Sequence, residues 1–381
     1  MPTETPNVRS CHEIDGALSG MGNSRILFIT AFHPGGKGLI GAGEAICEDS
    51  LRALHASGKA VHVLSLAPQS QVANSEVVGL CESYRTLTQT RGQDFLGVLR
   101  GWALGSLFAP WLFARVSPRN IRAAREIILR NGIDEVWLDF PSTLAFAPLL
   151  RELTIDYFVH DVVAQNIERR KLLGILSPLV QKIERRLLTF IRRCFVLSQK
   201  DKDLLRGMGF RGEVLLQPPS RIRVGEVSNA LPVSQILGKF AGRKNLVFFG
   251  DMRRPENHWS IFHFLLFSYP KIRRCHNDVQ FWVIGLLPRT TLKLLGRLIP
   301  GVRIVGAVHD PYPAFRASSV CVVPLRLGAG VKIKVLQMLD AGAKVVASPV
   351  GGEGIAPNLN LVVVPYDDIP EAVCRILSSS S

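Results

Sequence analysis

Closely spaced cysteine pairs are missing from this sequence, which contains seven cysteines in 381 residues. No CxxC motif occurs, and the cysteines are scattered along the chain. An odd, scattered set argues against a disulfide framework, and the missing pairs argue against a zinc site. These absences favour a reducing, cytoplasmic compartment.

Long uninterrupted apolar runs are also missing. Residues 1–23 lack the apolar core of a secretory signal, so we expect a disordered leader there. The most apolar window, residues 95–114, contains Arg100 and Pro110. A membrane-spanning helix needs about 20 predominantly apolar residues, so this window is at best a marginal candidate for one.

Acidic residues are in short supply, with 31 Asp and Glu against 46 Lys and Arg and a net charge of +15. This excess fits three kinds of partner: nucleic acid, an anionic membrane surface or phosphorylated small molecules. The hydrophobic fraction of 47% is high for a soluble protein, which favours a globular protein that is stable near lipid.

Short β-rich apolar runs alternate with helical patterns along most of the chain, which predicts parallel sheets covered by helices on both faces. In the first half, predicted strands begin at Arg25, Ala60, Asp134, Ile155 and Arg193. In the second half, they begin at Asn245, Val279, Val302, Ser319, Ala343 and Leu361. We therefore predict the α/β class.

The same pattern predicts two doubly wound, Rossmann-like domains, at residues 24–216 and 243–381. A proline-containing linker at residues 217–242 would join them. Two such domains facing each other would share a cleft at the carboxyl ends of their strands, where open parallel sheets bind ligands.

The most informative segment, residues 324–355, places a glycine-bearing loop between a predicted strand and a helix predicted to begin near Gly330. The N–H groups at a helix N-terminus attract anions, and glycines allow a phosphate to approach closely. The loop and the start of the helix also carry three cations, Arg326, Lys332 and Lys334. A diphosphate is the natural ligand, although glycines occur in many such turns for steric reasons alone.

The order of residues in this segment resembles the group 1 glycosyltransferases of the GT-B fold, which carry a block of the form PLR-G-G-(K/R)-K-LE and a later G-EG turn. The matching residues are Pro324, Leu325, Arg326, Gly328, Gly330, Lys332, Lys334, Leu336, Val345, Val346, Gly351, Glu353 and Gly354. The resemblance extends backward through FFGDMRRPEN at 248–257, VIG at 283–285 and VGAVHDPYPAF at 305–315. It is looser in the first half, through HDV at 160–162 and LSQKD at 197–201.

The resemblance implies a nucleotide-sugar donor in the interdomain cleft, used as a substrate, with no cofactor and no bound metal. It assigns the donor diphosphate to residues 328–334 and the base to residues 308–310, which include His309. Arg253 or Arg254 would neutralise phosphate charge. The other implied donor contacts are Arg326, Gly328, Gly330, Lys332, Lys334, Gln337 and Glu353.

From the first domain, the resemblance implies that His160 faces the donor sugar, and we take His160 and Asp161 as the catalytic candidates. A glycine-rich loop would complete the cleft wall through Gly35, Gly36, Gly41 and Gly43. Less specific interpretations stay open. His160 and Asp161 would then be a solvated pair at a strand end, Glu353 a capping residue, and Arg326 and Lys334 surface charges. For Asp139, a polar strand end is the preferred interpretation over an acceptor contact.

Two departures from the family pattern bear on activity. Gln337 stands where the family usually has a glutamate that accepts hydrogen bonds from the ribose hydroxyls, which predicts a donor affinity weaker by about 1 kcal/mol. After residues 369–377 we also expect no helix that crosses back to the first domain, which puts domain closure in doubt.

Two segments of the first domain combine apolar residues with basic flanks, at residues 95–114 and 168–193. Amphipathic segments of this kind bind anionic lipid at the membrane surface. A buried helical hairpin is the alternative interpretation of the first segment.

We therefore expect a retaining, metal-independent glycosyltransferase that moves a sugar from a UDP- or GDP-sugar to a lipid-linked or saccharide acceptor. Polysaccharide biosynthesis is the expected process. The enzyme would be peripheral on the inner, cytoplasmic face of the membrane. The alternative is a weakly active or inactive relative that binds a nucleotide sugar or a partner enzyme. Nucleic acid is not an expected partner, since no aromatic stacking platform accompanies the basic residues.

Overall fold

The computed structural model describes residues 24–35, 42–69, 71–103, 109–168, 174–217, 230–286, 288–328 and 330–379. The described residues form two compact units that divide between residues 220 and 221. Of the predicted linker, residues 218–229 lie outside the described ranges. Residues 231–242 belong to the second unit, where Leu231 pairs with Val308 and Phe240 is buried in the core.

The first unit is built on a seven-stranded parallel sheet in the order β3-β2-β1-β4-β5-β6-β7. Its strands are β1 (Arg25–Thr30), β2 (Ala60–Ser65), β3 (Ser83–Thr86), β4 (Glu135–Asp139), β5 (Thr154–Val159), β6 (Arg193–Val196) and β7 (Glu213–Leu216). The five strands predicted for this half are confirmed as β1, β2, β4, β5 and β6. The two outer strands, β3 and β7, were not predicted.

Helices connect these strands on both faces of the sheet. They are α1 (Ala42–Ala56), α2 (Ser75–Val78), α3 (Arg91–Ala103), α4 (Pro118–Asn131), α5 (Val163–Glu168), α6 (Ser177–Leu188) and α7 (Gln199–Gly207), with 3₁₀ turns at Pro110–Phe113, Pro141–Leu149 and Gly174–Leu176. Helix α4 shows how the sequence sets helix bounds. Ser117 caps its start by accepting from the Asn120 N–H, and Gly132, at φ 59°, ends it in the left-handed conformation.

Buried ion pairs lie at the amino ends of the strands of this sheet. Lys59 Nζ donates to both carboxylate oxygens of Glu135, at 2.8 and 2.9 Å, and the two side chains are only 2% and 6% exposed. Arg192 and Arg193 hold Asp156 at 2.9 and 2.6 Å. Because these cations already have buried or half-buried partners, they do not belong to the charge available to an external ligand.

The second unit is built on a six-stranded parallel sheet in the order β10-β9-β8-β11-β12-β13. Its strands are β8 (Asn245–Phe249), β9 (Gln280–Ile284), β10 (Val302–Gly306), β11 (Val320–Val323), β12 (Val345–Ala347) and β13 (Leu361–Val363). All six strands predicted for this half are confirmed. Strands β8, β9, β11 and β12 are almost entirely buried, as expected where helices cover both faces.

The helices of the second unit are α8 (Ser234–Leu237), α9 (Pro255–His263), α10 (Tyr269–Cys275), α11 (Thr290–Leu298), α12 (Tyr312–Ala317), α13 (Ile333–Asp340) and α14 (Ile369–Ser379). A π-helical turn at Phe264–Ser268 joins α9 to α10, and a 3₁₀ turn at Tyr366–Asp368 precedes α14. Within the part of the chain that the structure describes, no helix is both long and apolar enough to cross a membrane.

In each sheet the strand order changes direction next to the first strand. The chain moves outward from β1 to β2 and β3 before it returns to β4, and outward from β8 to β9 and β10 before it returns to β11. Ligands of open parallel sheets bind at this point, outside the carboxyl ends of the strands. Each unit therefore offers one crevice, bordered in the first by the ends of β1 and β4 and in the second by the ends of β8 and β11.

Candidate active site

The glycine-bearing loop of the second unit lies at the carboxyl end of β11, as predicted, but helix α13 begins at Ile333 rather than near Gly330. The prediction of the helix start was wrong because the backbone at Gly330 is not yet helical. Gly328 has φ 123° and Gly330 has φ 71°, which are conformations that favour glycine, and Lys332 is extended. Lys332 therefore lies at the N-cap of the helix.

Lys332 and Glu353 lie together beside this loop. Lys332 Nζ donates to the carbonyl oxygen of Gly330 at 2.6 Å and lies 3.9 Å from Glu353 Oε2. Both side chains are about 10% exposed, so neither is a freely solvated charge. Glu353 is thus paired with a loop cation.

Ser348 connects the loop after β11 to the turn that carries Glu353. Its hydroxyl donates to the carbonyl oxygen of Leu325 and accepts from the Gly351 N–H at 3.0 Å. Leu325 belongs to the loop after β11, and Gly351 belongs to the turn that contains Glu353. The hydroxyl therefore fixes the position of Glu353 relative to the cationic loop.

Lys334, in the first turn of α13, points back toward the end of β8. Its Nζ donates to Asn257 Oδ1 at 2.7 Å and lies 4.4 Å from the centre of the Phe248 ring. Gly250 allows this approach, because a Cβ there would lie 2.9 Å from Nζ. Desolvation lowers the pKa of Lys334 to about 7, and the charges of Arg254 and Lys332 add to this effect. The interpretation of Lys334 as a solvated surface charge is wrong.

The arginines predicted to contact phosphate have protein partners. Arg253 donates to both carboxylate oxygens of Asp251, at 2.7 to 3.0 Å, and Arg254 lies 3.9 Å from Glu256. The guanidinium of Arg326 lies over the Tyr366 ring, 5.2 Å from its centre. All three are exposed, so each can reach an anion only by leaving or sharing its present contact.

Gln337 and His309 differ in burial. Gln337 is 7% exposed and lies one turn along α13 from Lys334. Among the described residues, its side-chain amide has no hydrogen-bond partner. His309 is exposed, and its backbone N–H donates to the carbonyl oxygen of Leu231 at 3.3 Å.

In the first unit, His160 directly follows β5 and its imidazole is held by Asp139. His160 Nε2 lies 2.7 Å from Asp139 Oδ1, and Asp139, the last residue of β4, is fully buried. Asp161 lies next along the chain, partly buried, before α5. Sequence reasoning missed the role of Asp139, although two polar residues at the ends of neighbouring strands were a usable signal.

Aromatic rings surround the same imidazole. The ring of Phe140 stacks on that of His160, with centres 4.0 Å apart and planes 6° apart, and Phe32 contacts Phe140 edge-on at 4.7 Å. Gly43, in α1, lies against both rings, because a Cβ there would lie 2.8 Å from the Phe140 ring and 3.9 Å from His160 Nδ1. Gly35 is also described, with φ 54°, whereas Gly36 and Gly41 lie outside the described residues.

The predicted residues therefore form two groups, each at the carboxyl edge of its own sheet. One contains the loop glycines, both lysines, Gln337 and Glu353, and the other contains His160 and Asp161. Asn257, Asp139 and Phe140 are additional members that were not among the predicted site residues.

A family model matches the second part of the chain. Residues 243–379 match the family described as glycosyl transferases group 1. No curated protein matches the chain significantly.

Solved structures of glycosyltransferases resemble almost the whole chain. A glycosyltransferase from Rickettsia africae has a TM-score of 0.62 at 12% identity, with 95% of this chain and 90% of that chain covered. HepE from Anabaena in complex with UDP and glucose has a TM-score of 0.60 at 15% identity, with 94% and 90% covered. The trehalose 6-phosphate synthase from Burkholderia multivorans has a TM-score of 0.58 at 13% identity, with 94% and 90% covered. The chain therefore has the GT-B fold of these structures, and its residues 243–379 match the group 1 glycosyltransferase family.

Proposed function

We propose that the enzyme transfers a sugar from a UDP- or GDP-sugar to an acceptor and that the second unit binds the donor. The observation that carries this proposal is the placement of two lysines at the carboxyl end of the second sheet. Lys332 bonds to the loop that contains Gly328 and Gly330, and Lys334 points to the end of β8. Two cations beside a loop that opens into a helix provide charge and N–H groups for a diphosphate. The complexes of HepE with UDP and with UDP-glucose support a nucleotide-sugar donor.

The leaving diphosphate is where negative charge develops during transfer, and preorganised cations stabilise such charge. Lys332, Lys334 and Arg326 would supply these cations, so we propose that transfer needs no bound metal. We also propose retention of the anomeric configuration, with His160 facing the donor sugar. Neither Lys332 nor Lys334 would act as a nucleophile. EDTA insensitivity and the anomeric proton couplings of the product test these two points separately.

The acceptor belongs to the first unit in this proposal. A groove of about 800 Å³ is lined by Val162, two residues after His160 in the sequence, and by residues of α5, α6 and α7. Its walls mix polar side chains, among them Gln165, Gln181 and Lys200, with apolar ones. Such a lining suits a saccharide, which presents both hydroxyls and apolar ring faces.

We further propose a lipid-linked acceptor, polysaccharide biosynthesis and binding to the inner face of an anionic membrane. Support comes from α3 and the following turn, where Phe95, Leu96, Leu99 and Trp111 are exposed; we call these four residues the apolar patch. Arg100 and Arg119 are exposed nearby in sequence, whereas Arg115 is buried. In the second basic segment, Ile175 and Leu179 are exposed, but Arg192 and Arg193 are paired with Asp156.

A screen of UDP- and GDP-sugars against the purified full chain tests the proposal. Thermal shift identifies the donor, and mass spectrometry detects transfer or donor hydrolysis. Lys334→Met should reduce the thermal shift, and Lys239→Met, at an exposed lysine of the same unit, should retain it. A donor that binds without any turnover would favour the alternative of a binding-only relative, which the amide at Gln337 suggests.

A further inference from the structure

Phe140 adopts a backbone conformation that is unusual for its residue type. Among the described residues it is the one non-glycine residue with a positive φ, at φ 76° and ψ 147°. This region is populated almost entirely by glycine, so a phenylalanine remains there only when its surroundings hold it. Thr143 does so, since its N–H donates to the carbonyl oxygen of Phe140 at 3.0 Å. Its hydroxyl lies 2.9 Å from the carbonyl oxygens of both Asp139 and Phe140 and donates its one hydrogen between them.

The strained conformation places the ring of Phe140 flat on the imidazole of His160. Phe32 contacts the Phe140 ring edge-on, and Gly43 lies against the Phe140 ring with only a hydrogen in place of a side chain. The ends of β1, β4 and β5 and the start of α1 therefore converge on one ring. A phenylalanine in an ordinary β conformation would direct its ring elsewhere.

Two different restraints then act on His160. The hydrogen bond to Asp139 fixes Nε2, and because a carboxylate can only accept, Nε2 of a neutral imidazole carries the proton. That bond alone leaves the ring plane free to tilt about it. The stacked Phe140 ring fixes the plane and directs Nδ1 toward Gly43.

We propose that Phe140 is a positioning residue, whose strained backbone holds the imidazole plane of His160 in the orientation needed for transfer. This inference rests on the proposed function, in which His160 faces the donor sugar. Strain of this kind is found where a site is preorganised. Phe140 itself touches no reacting atom in this proposal.

The test compares Phe140→Gly with Phe140→Tyr in the full chain. Glycine accepts the observed φ without strain but removes the ring, whereas tyrosine retains the ring. We expect Phe140→Gly to reduce nucleoside diphosphate release from a mixture of UDP- and GDP-hexoses by about tenfold to 100-fold. Its Tm should stay within about 3 °C of the wild type, because released strain offsets the lost contact. Phe140→Tyr should retain most of the activity.

A second pair of variants alters the same contact without touching Phe140. Gly43→Ala places a methyl group 2.8 Å from the Phe140 ring and should lower activity. Gly238→Ala is the matched control, since Gly238 has an ordinary helical φ of −58° and its nearest atom lies 3.9 Å from the added Cβ. The imidazole ¹⁵N signals of His160, assigned with His160→Gln, give a readout that needs no ligand and should shift or broaden in Phe140→Gly.

The outcomes separate this inference from the proposed function. Unchanged His160 signals in Phe140→Gly, or unchanged turnover where His160→Ala is inactive, would overturn the positioning role and leave the proposed function intact. Full activity of His160→Ala would overturn the proposed role of His160, and the role of Phe140 with it. An equal loss of activity in Phe140→Gly and Phe140→Tyr would also contradict the proposal, because tyrosine keeps the stacked ring.

Discussion

Lys334 Nζ donates a 2.7 Å hydrogen bond to Asn257 Oδ1, so the first turn of α13 is joined to α9 by a lysine and an amide. The partner is neutral, and the charges of Glu256 and Asp251 raise the pKa of Lys334 less than desolvation lowers it. The Asn257 amide in turn donates to the carbonyl oxygen of Asp251 at 2.8 Å. These two hydrogen bonds hold the ammonium group of Lys334 at the carboxyl end of β8, where desolvation lowers its pKa to about 7.

Donor binding should therefore depend on pH. A diphosphate stabilises protonated Lys334 and raises its pKa in the complex, so binding above pH 7 takes up a proton. We expect UDP affinity to fall between pH 7 and pH 9, by at most about tenfold per pH unit. Calorimetry in two buffers of different ionisation enthalpy measures the proton uptake directly.

The same titration distinguishes Lys334 from other lysines. Lys334→Met should weaken UDP binding by about tenfold to 100-fold at pH 7, because hydrogen bonds to charged groups contribute about 1.5 to 3 kcal/mol. It should also flatten the pH dependence, whereas Lys239→Met should do neither. A pH slope that persists in Lys334→Met would assign the titration to another group.

Gln337 offers a test of the ribose contact. Its amide is nearly buried and has no hydrogen-bond partner among the described residues. Gln337→Glu supplies a carboxylate that can accept from both ribose hydroxyls and should tighten UDP binding about fivefold, or about 1 kcal/mol. Binding of 2′-deoxy-UDP should gain less, since one of the hydroxyls is missing. Equal gains for the two nucleotides would point to a general charge effect and contradict the ribose assignment.

Glu184 makes the first unit sensitive to pH. It is fully buried in α6 and accepts from the N–H groups of Val163 and Ala164, at 3.0 and 3.1 Å. Burial raises the pKa of its carboxyl from 4.5 to about 7. Between these values the folded state binds more protons than the unfolded state, so stability from this group is present below pH 4.5 and is lost as pH rises to 7.

Glu184→Gln should remove this dependence. The amide still accepts a hydrogen bond and carries no charge, so its unfolding free energy relative to the wild type should rise by about 2 to 3 kcal/mol between pH 5 and pH 8. Chemical denaturation of both proteins across this range measures the difference. Parallel curves would mean that Glu184 does not titrate in this window.

The apolar patch predicts membrane binding. Phe95 is 62% exposed, and replacing Phe95 and Leu96 by serine should weaken co-sedimentation with phosphatidylglycerol vesicles by at least about tenfold. Leu129→Ser is the matched control, because Leu129 is 82% exposed on α4 and outside the patch. Equal losses in the two proteins, or binding that persists in the double variant, would remove the patch from the membrane interface.

The sequence predicted the buried strands and also the partly exposed edge strands β10 and β13, but it missed β3 and β7 at the edges of the first sheet. All six strands of the second unit follow from runs such as Val320–Val323, where every residue is apolar. Strand β3, with the sequence SYRT, is half exposed and mostly polar, so it carries no apolar run. It becomes a strand because it pairs with β2, and the residues of β3 alone do not reveal that pairing.

The charged residues and glycines of the site could be predicted from the sequence, but their contacts could not. Lys332 and Lys334 were identified by their order along the chain, whereas the Asn257 contact joins residues 77 positions apart. The Phe140 conformation depends on Thr143 and Gly43, which belong to different elements. Such contacts follow from tertiary packing, so single-sequence patterns do not contain them.

The Ser348 hydroxyl has a practical consequence for protein engineering. It forms hydrogen bonds with Leu325 on one loop and Gly351 on another, so the conformation of each loop depends on the other. An exchange of one loop for that of a related enzyme would leave a buried hydroxyl or carbonyl without a partner. Libraries aimed at changing donor preference should therefore transplant residues 325–334 and 348–354 together, as a single cassette.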